Sequence, residues 1–289
     1  AAALARQARR LAAAPEAPWL HTEVARRMAE RLGAIRLQPE AWLEWGATAG
    51  GSAAVLRSQY PRARRLVVEP TAELVARHAA ALWPPQRWRA GADQAWLPAD
   101  VPAGAAQLLW SNMGLHGQAD LEAQLATWHR AIAVDGFLMF STLGPDTLRE
   151  LRELHAEAGW GEAMAPLVDM HDLGDMLVHA GFADPVMDQE TITLTWSTPE
   201  ALLDELRGLG GNAASSRFQG LRTPRWLARW KAALAARAGA DGRIAMRFEL
   251  VYGHAFRPPA RARVAAQTQI PLEDLRQQLG RGRRADEGV

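Results

Sequence analysis

The chain has 289 residues, 48% hydrophobic and 22% charged, with a formal net charge of +1 at pH 7. That length and balance suit one α/β domain with insertions and a real core, and leave no global field to draw nucleic acid or a membrane surface. The sequence has no cysteine, which excludes disulfides, thiolate metal sites and cysteine nucleophiles. No apolar run is long enough to span a bilayer, so a cytoplasmic protein is expected. Lys231 is the only lysine among 33 basic residues. In a chain this rich in alanine and arginine, the arginine excess alone says little about phosphate binding.

Residues 1–18 read as a flexible N-terminal segment. Arg6, Arg9 and Arg10 interrupt its alanines, so it lacks the apolar stretch of a secretory signal. His21 to Leu32 is expected to be an amphipathic helix, with Val24, Met28 and Leu32 at four-residue spacing. Ala41 to Trp45 follows as a strand, then the glycine-containing turn Gly46 to Ser52 and a helix over Ala53 to Tyr60. Arg65 to Glu69 is a second strand, followed by a helix from Thr71 to Leu82. The alternation continues with a strand over Ala105 to Trp110 and a helix over Leu121 to Ala133. Asp135-Gly136 then turns into the strand Phe137 to Thr142. Such alternation predicts a parallel sheet covered on both faces, with right-handed crossovers putting the strands' carboxyl ends on one ligand-binding edge.

The remainder differs. Asp172 to Ala180 reads as a helix stopped by Gly181, and Val186 to Trp196 and Met246 to Phe256 read as strands able to pair. Between them a helical, arginine-bearing insertion at about 197–240 is expected to lie over the sheet edge as a lid. The main domain is expected to span 19–258, with 259–289 a poorly ordered tail.

Acids at strand ends are the informative feature. Glu69 ends the second strand about twenty residues after the glycine turn, where a carboxylate can accept the hydroxyls of an adenosine ribose. A dinucleotide would need G-x-G-x-x-G so that a helix start could approach its pyrophosphate. Gly46-Ala47-Thr48-Ala49-Gly50-Gly51 keeps only the first of those glycines in place. S-adenosylmethionine carries no phosphate and needs the looser E/D-x-G-x-G-x-G, which Glu44, Gly46 and Gly50 fit, with Thr48 replacing the middle glycine. Asp93, in Gly91-Ala92-Asp93-Gln94, could accept the adenine amino group, and Trp45 and Trp96 could stack on the ring. The histidine spacing suggests no metal pair.

Trp110-Ser111-Asn112-Met113-Gly114-Leu115-His116 resembles the W-S-N-L-x-L-H segment of the malonyl-acyl-carrier-protein O-methyltransferases of biotin synthesis. Phe140 to Leu148, Val168 to Asp172, Gly181 to Asp188, Leu206 to Gly211 and Glu249 to Phe256 are similar to further segments of that family, so the likeness runs from about Leu20 to Pro258. The resemblance implies a Rossmann-like, seven-stranded α/β methyltransferase sheet with helices on both faces and a helical lid before the last strand. It implies S-adenosylmethionine as methyl donor, malonyl-acyl carrier protein as acceptor, and Glu44, Gly46, Gly50, Glu69, Asp93 and Asn112 as cofactor-binding residues. The acceptor carboxylate is ionised at neutral pH, so positioning rather than a general base is expected to carry the reaction. His116 and Tyr252 are the candidate catalytic residues. Arg207, Arg217, Arg222 and Arg225 are the candidates for holding the carboxylate, and Arg222, Arg225 and Arg229 could meet an acidic carrier protein.

The chain departs from the family pattern at Glu44-Trp45-Gly46-Ala47-Thr48-Ala49-Gly50, where D-x-G-C-G-T-G is usual. It also departs at Ala14-Pro15-Glu16-Ala17, Gln107 and Gly117. Those changes favour an alternative: a non-catalytic methyltransferase-like protein that binds or assembles a protein partner, or another activity using the same cofactor on this scaffold.

Overall fold

The computed structural model describes residues 13, 16–80, 94–214 and 216–259. The expected tail beyond 259, most of the N-terminal segment and Asp93 lie outside the described residues. In chain order the elements are α1 (Trp19–Arg31), β1 (Ala41–Trp45), the single turn α2 (Ala47–Gly50), α3 (Ala53–Gln59), β2 (Arg64–Val68), α4 (Ala72–Ala80), β3 (Gln94–Trp96) and β4 (Ala106–Ser111). Then come α5 (Leu121–Ala131), β5 (Ile132–Leu143), α6 (Arg149–Glu157), α7 (Met170–His179), β6 (Ala183–Trp196), α8 (Pro199–Gly208), α9 (Pro224–Ala235) and β7 (Ile244–Phe256).

The seven strands form one sheet in the order β3-β2-β1-β4-β5-β7-β6. The first five run parallel, and β7 is antiparallel to both of its neighbours. The order reverses between β1 and β4, so the crevice beyond their carboxyl ends is the natural ligand position of an open parallel sheet.

Alternation along each strand divides the core. Trp42, Leu108, Trp110, Phe137 and Met139 face α1, α3 and α6. Leu43, Trp45, Leu109, Leu138 and Phe140 face α5 and α7, with Trp128 and Leu177 opposite them. Burying each such side chain contributes roughly 1.5–3 kcal/mol against leaving it in water. The helices start where the sequence provides caps: the Asp120, Asp169, Thr198 and Thr223 side chains each accept a backbone N–H of the first turn. Proline opens α8 and α9 at the position where a missing N–H costs nothing.

Two expectations need correcting. Asp135-Gly136 does not precede a separate strand. It is a kink inside β5, where Ala106 pairs with Ile132 but Leu108 with Phe137. Asp135 takes a φ of +63°, and a Cβ on Gly136 would stand 2.6 Å from the Gln107 carbonyl oxygen, so glycine is required there. β6 begins three residues earlier than expected and includes Pro185, which an edge strand tolerates. Its hairpin with β7 closes at Trp196 opposite Ile244, so residues 197–243 leave and re-enter the sheet at one point.

Candidate active site

At the carboxyl end of β1 the chain turns through Gly46 (φ +72°), makes the short helix α2, and turns again at Gly51 (φ +66°). Both conformations favour glycine, and a Cβ on Gly51 would lie 2.8 Å from the Cβ of Ala17. Gly50, the expected second glycine of the turn, has no positive φ, and a Cβ there would meet Asn112 at an ordinary 3.7 Å. Gly51 therefore carries the conformational requirement. Thr48 lies inside α2, so a side chain at the middle position brings no left-handed strain.

Glu69 follows β2 directly and is almost completely buried. Its Oε1 accepts three hydrogen bonds: from Thr48 N–H at 2.8 Å, from the Thr48 hydroxyl at 2.7 Å and from His78 Nε2 on α4 at 2.8 Å. Glu44 is buried on the face of β1 that carries Trp42. Its Oε2 accepts from Arg65 Nε at 2.9 Å and Nη2 at 2.6 Å, while Oε1 has no hydrogen-bond partner. Burial raises the Glu44 carboxyl above its ordinary range, against the pull of the Arg65 guanidinium.

Asn112, just past β4, is committed to the protein. Its amide donates to the His21 carbonyl at 2.7 Å and the Gly50 carbonyl at 2.6 Å, and its oxygen accepts the Ser141 hydroxyl at 2.7 Å. It ties α1, the glycine loop and β5 together. Met113 beside it is held at a φ of +54° and donates its N–H to Ser141. His21 on α1 lies against the Ala49 carbonyl at 2.7 Å, so Nδ1 carries the proton. Burial lowers its pKa to about 4. Nothing in the spacing of His21, His78 or Ser141 distinguishes them in the sequence; only the fold brings them to this site.

Beyond β5 and β7 lies a second region. A cavity of about 330 Å³ sits between α6, residues 160–167, α8, α9 and the 211–222 segment. Leucines, Met164 and the rings of Trp160, Phe218, Trp226, Trp230 and Phe248 line most of it. His155 is locked as the Nδ1–H tautomer. It donates to the Gly161 carbonyl at 3.2 Å and accepts from Trp230 Nε1 at 3.1 Å.

Three polar groups in this lining lack full partners. His116 Nδ1 and Trp226 Nε1 are buried with no hydrogen bond. Burial is the main cause that lowers the His116 pKa to about 4, with the His21 charge second. Arg222 stacks over Phe218 at 4.0 Å and Trp226 at 4.4 Å and donates Nη2 to the Trp160 carbonyl. Its other N–H groups make no hydrogen bond among the described residues.

The remaining expected residues divide. Arg207 and Arg217 also line the cavity, but Arg207 pairs with Asp204 at 3.1 Å and Arg217 donates to the Ala214 carbonyl at 3.0 Å. Arg225 is exposed and outside the lining. Tyr252 is not brought to the cavity. Its hydroxyl donates to Glu190 at 2.6 Å and Arg31 covers its ring at 3.8 Å, an ionic knot with Arg27 that fastens α1 to β6. Burial, then the Glu190 contact, raises its hydroxyl pKa. Trp45 is a core residue, edge-on to Trp128 at 6.2 Å, and not a free stacking surface. His171 bonds Asp169 within the cap of α7. Among the described residues no group of three or more His, Asp or Glu could hold a metal ion, and no helix is long and apolar enough to cross a membrane.

No family model matches the sequence. The chain is 39% identical over 254 residues to the malonyl-acyl-carrier-protein O-methyltransferase of Laribacter hongkongensis, covering 84% of each chain. It is 36% identical over 252 residues to the protein of the same name from Gallionella capsiferriformans, covering 84% of this chain and 85% of that one. Among solved structures it is similar to the YcgJ protein of Bacillus subtilis, with a TM-score of 0.53 and 12% identity over 82% of this chain and 99% of the other, a likeness of fold.

Proposed function

The chain belongs to the malonyl-acyl-carrier-protein O-methyltransferase family, and from that premise we propose that it methylates the free carboxylate of a malonyl group carried as a thioester on acyl carrier protein. The methyl ester formed has lost its charge and serves as an acyl primer for the chain elongation that leads to pimeloyl and biotin. S-adenosylmethionine supplies an electrophilic methyl group. The chain's own residues fit that donor at the first region. Glu69 keeps Oε2 without a hydrogen bond at the end of β2, beside the Gly46–Gly51 turn. That oxygen would accept from the ribose of the bound donor. Asn112 acts on the cofactor indirectly, by holding the loop through Gly50.

The acceptor reading is supported by one observation: a mostly apolar cavity lined by Arg222, whose guanidinium keeps N–H groups without a hydrogen bond among the described residues, with Trp226 and His116 also in its wall. A carboxylate answers the unused N–H groups of Arg222. Arg222 is the residue that holds it. Its guanidinium is fixed by two rings and a carbonyl, so little further freedom is lost on forming a charge-assisted fork. His116, kept neutral at physiological pH by burial, adds no positive charge to this wall. The insertion at 197–240 would serve as the lid that excludes water from the acceptor, and the residues beneath it would act by positioning. No base is required, because the attacking carboxylate is already ionised.

Calorimetric titration with S-adenosylhomocysteine tests the first half of this reading. Micromolar affinity is expected, and its absence in a folded sample would favour the non-catalytic alternative. Methylation of malonyl-acyl carrier protein, with the Arg222→Ala variant beside the parent, tests the second.

A further inference from the structure

In the family's usual loop, D-x-G-C-G-T-G, a glycine stands where this chain has Thr48. Here the substitution has chemical content. The Thr48 hydroxyl donates to Glu69 Oε1 at 2.7 Å, its own backbone N–H donates to the same atom at 2.8 Å, and His78 Nε2 reaches it at 2.8 Å from α4. The His78 nitrogen also lies 3.3 Å from the Thr48 hydroxyl, so loop, acid and helix form one closed group. A carboxylate oxygen carrying three donors has no lone-pair direction left for a fourth. Oε2 makes no hydrogen bond among the described residues.

We infer that Thr48 and His78 are positioning residues that clamp Glu69 Oε1 and leave Oε2 to meet a nucleoside ribose, so that the vicinal hydroxyls cannot take one carboxylate oxygen each and one of them is held more strongly than the other. The inference rests on the reading of this end of the sheet as an adenosine site. A glycine at position 48 and an apolar residue at 78 would let the carboxylate turn and meet both hydroxyls. With the clamp in place its plane is fixed, and rotation would break two side-chain hydrogen bonds together.

The test is calorimetric titration of the full-length protein with S-adenosylhomocysteine and with its 2′-deoxy and 3′-deoxy forms, for the parent, Thr48→Val and His78→Phe. Thr48→Val removes the hydroxyl while keeping shape and backbone N–H, and His78→Phe removes the ring donor. In the parent the two deoxy forms are expected to differ by about tenfold or more, roughly 1.4 kcal/mol. In either variant they should converge to within about threefold. Equal weakening by both deoxy forms in the parent would overturn the clamp while leaving the adenosine site standing. A difference that survives both substitutions would do the same. Failure of the folded parent to bind S-adenosylhomocysteine at all would overturn both readings. Thermal melts of each variant, alone and with saturating ligand, separate lost positioning from lost folding, because Thr48→Val should melt within a few degrees of the parent.

Discussion

The two ends of the proposed site are built on opposite plans. Around the glycine loop the side chains that shape the turn are bonded inside the protein, Asn112 to three partners, Glu69 Oε1 to three donors and Glu44 Oε2 to Arg65, while Glu69 Oε2 and Glu44 Oε1 stay without one among the described residues. Under the insertion the walls are mostly apolar; His155, Arg207 and Arg217 have partners there, but Arg222 keeps N–H groups without one among the described residues. The first plan suits a ligand that is the same in every turnover, because its frame can be completed in advance. The second suits an acceptor that brings its own charge, because the unused N–H groups of Arg222 would gain a partner when a carboxylate arrives.

That contrast can be broken most directly at Glu69. Glu69→Ala is expected to weaken S-adenosylhomocysteine binding at least about 100-fold, some 2.7 kcal/mol, with the protein still folded by circular dichroism. An unchanged affinity would remove Glu69 from the site. Arg222→Ala should lower kcat/KM for the malonyl acceptor about 100-fold with the cofactor-product affinity unaltered, since the two regions share no hydrogen bond in which Arg222 takes part. Arg222→Lys should not restore it, because a point charge lacks the planar fork. Parallel losses in both ligands would collapse the distinction between the regions.

Acid should expose the difference as well. His21 and His116 have folded pKa values of about 4 against an ordinary 6.5, so below pH 6.5 the unfolded chain binds more protons than the folded one. The stability that rests on keeping them neutral is fully present above that pH and is lost progressively from pH 6.5 to about 4. Glu44, with its carboxyl raised by burial, acts in the opposite sense. Denaturant titrations at pH 7.5, 6 and 5 should show a fall of a few kcal/mol, flattened in a His21→Gln/His116→Gln double variant. The smallest effect is at the rim. Arg225→Ala/Arg229→Ala should raise KM for the protein-bound acceptor about threefold at low ionic strength and leave it unchanged in 0.5 M salt, as screened steering requires.

Much of the fold could be read from local pattern. The strand-helix alternation, the pairing of the last two strands and the left-handed glycine at position 46 each follow from spacing and residue type. What could not be read depends on contacts across the chain. Gly51 is required because Ala17 approaches it from the N-terminal side, and no local rule prefers it to Gly50. Tyr252 sits on a late strand as expected, yet Glu190 and Arg31 claim its two polar and aromatic surfaces. Among four candidate arginines, only the packing of Phe218, Trp226 and Trp160 singles out Arg222. His78 stands nine positions after Glu69, and it takes the path of α4 to turn that interval into a hydrogen bond.

The hairpin that closes at Trp196 and Ile244 has one more consequence. Antiparallel partners have Cα atoms about 5 Å apart, so a two-residue turn could replace residues 197–243 without disturbing the sheet's connectivity. The segment is thus detachable in topology. It is not detachable in solubility, because Leu202, Trp230 and Leu234 cover one apolar surface with Leu151, Leu154, Trp160 and Phe248. An excised version would present that surface to water as a self-association patch. A graft from a relative would have to bring its own cover for the same surface, so exchange of acceptor specificity between such enzymes is constrained by what must stay dry rather than by where the chain can be cut.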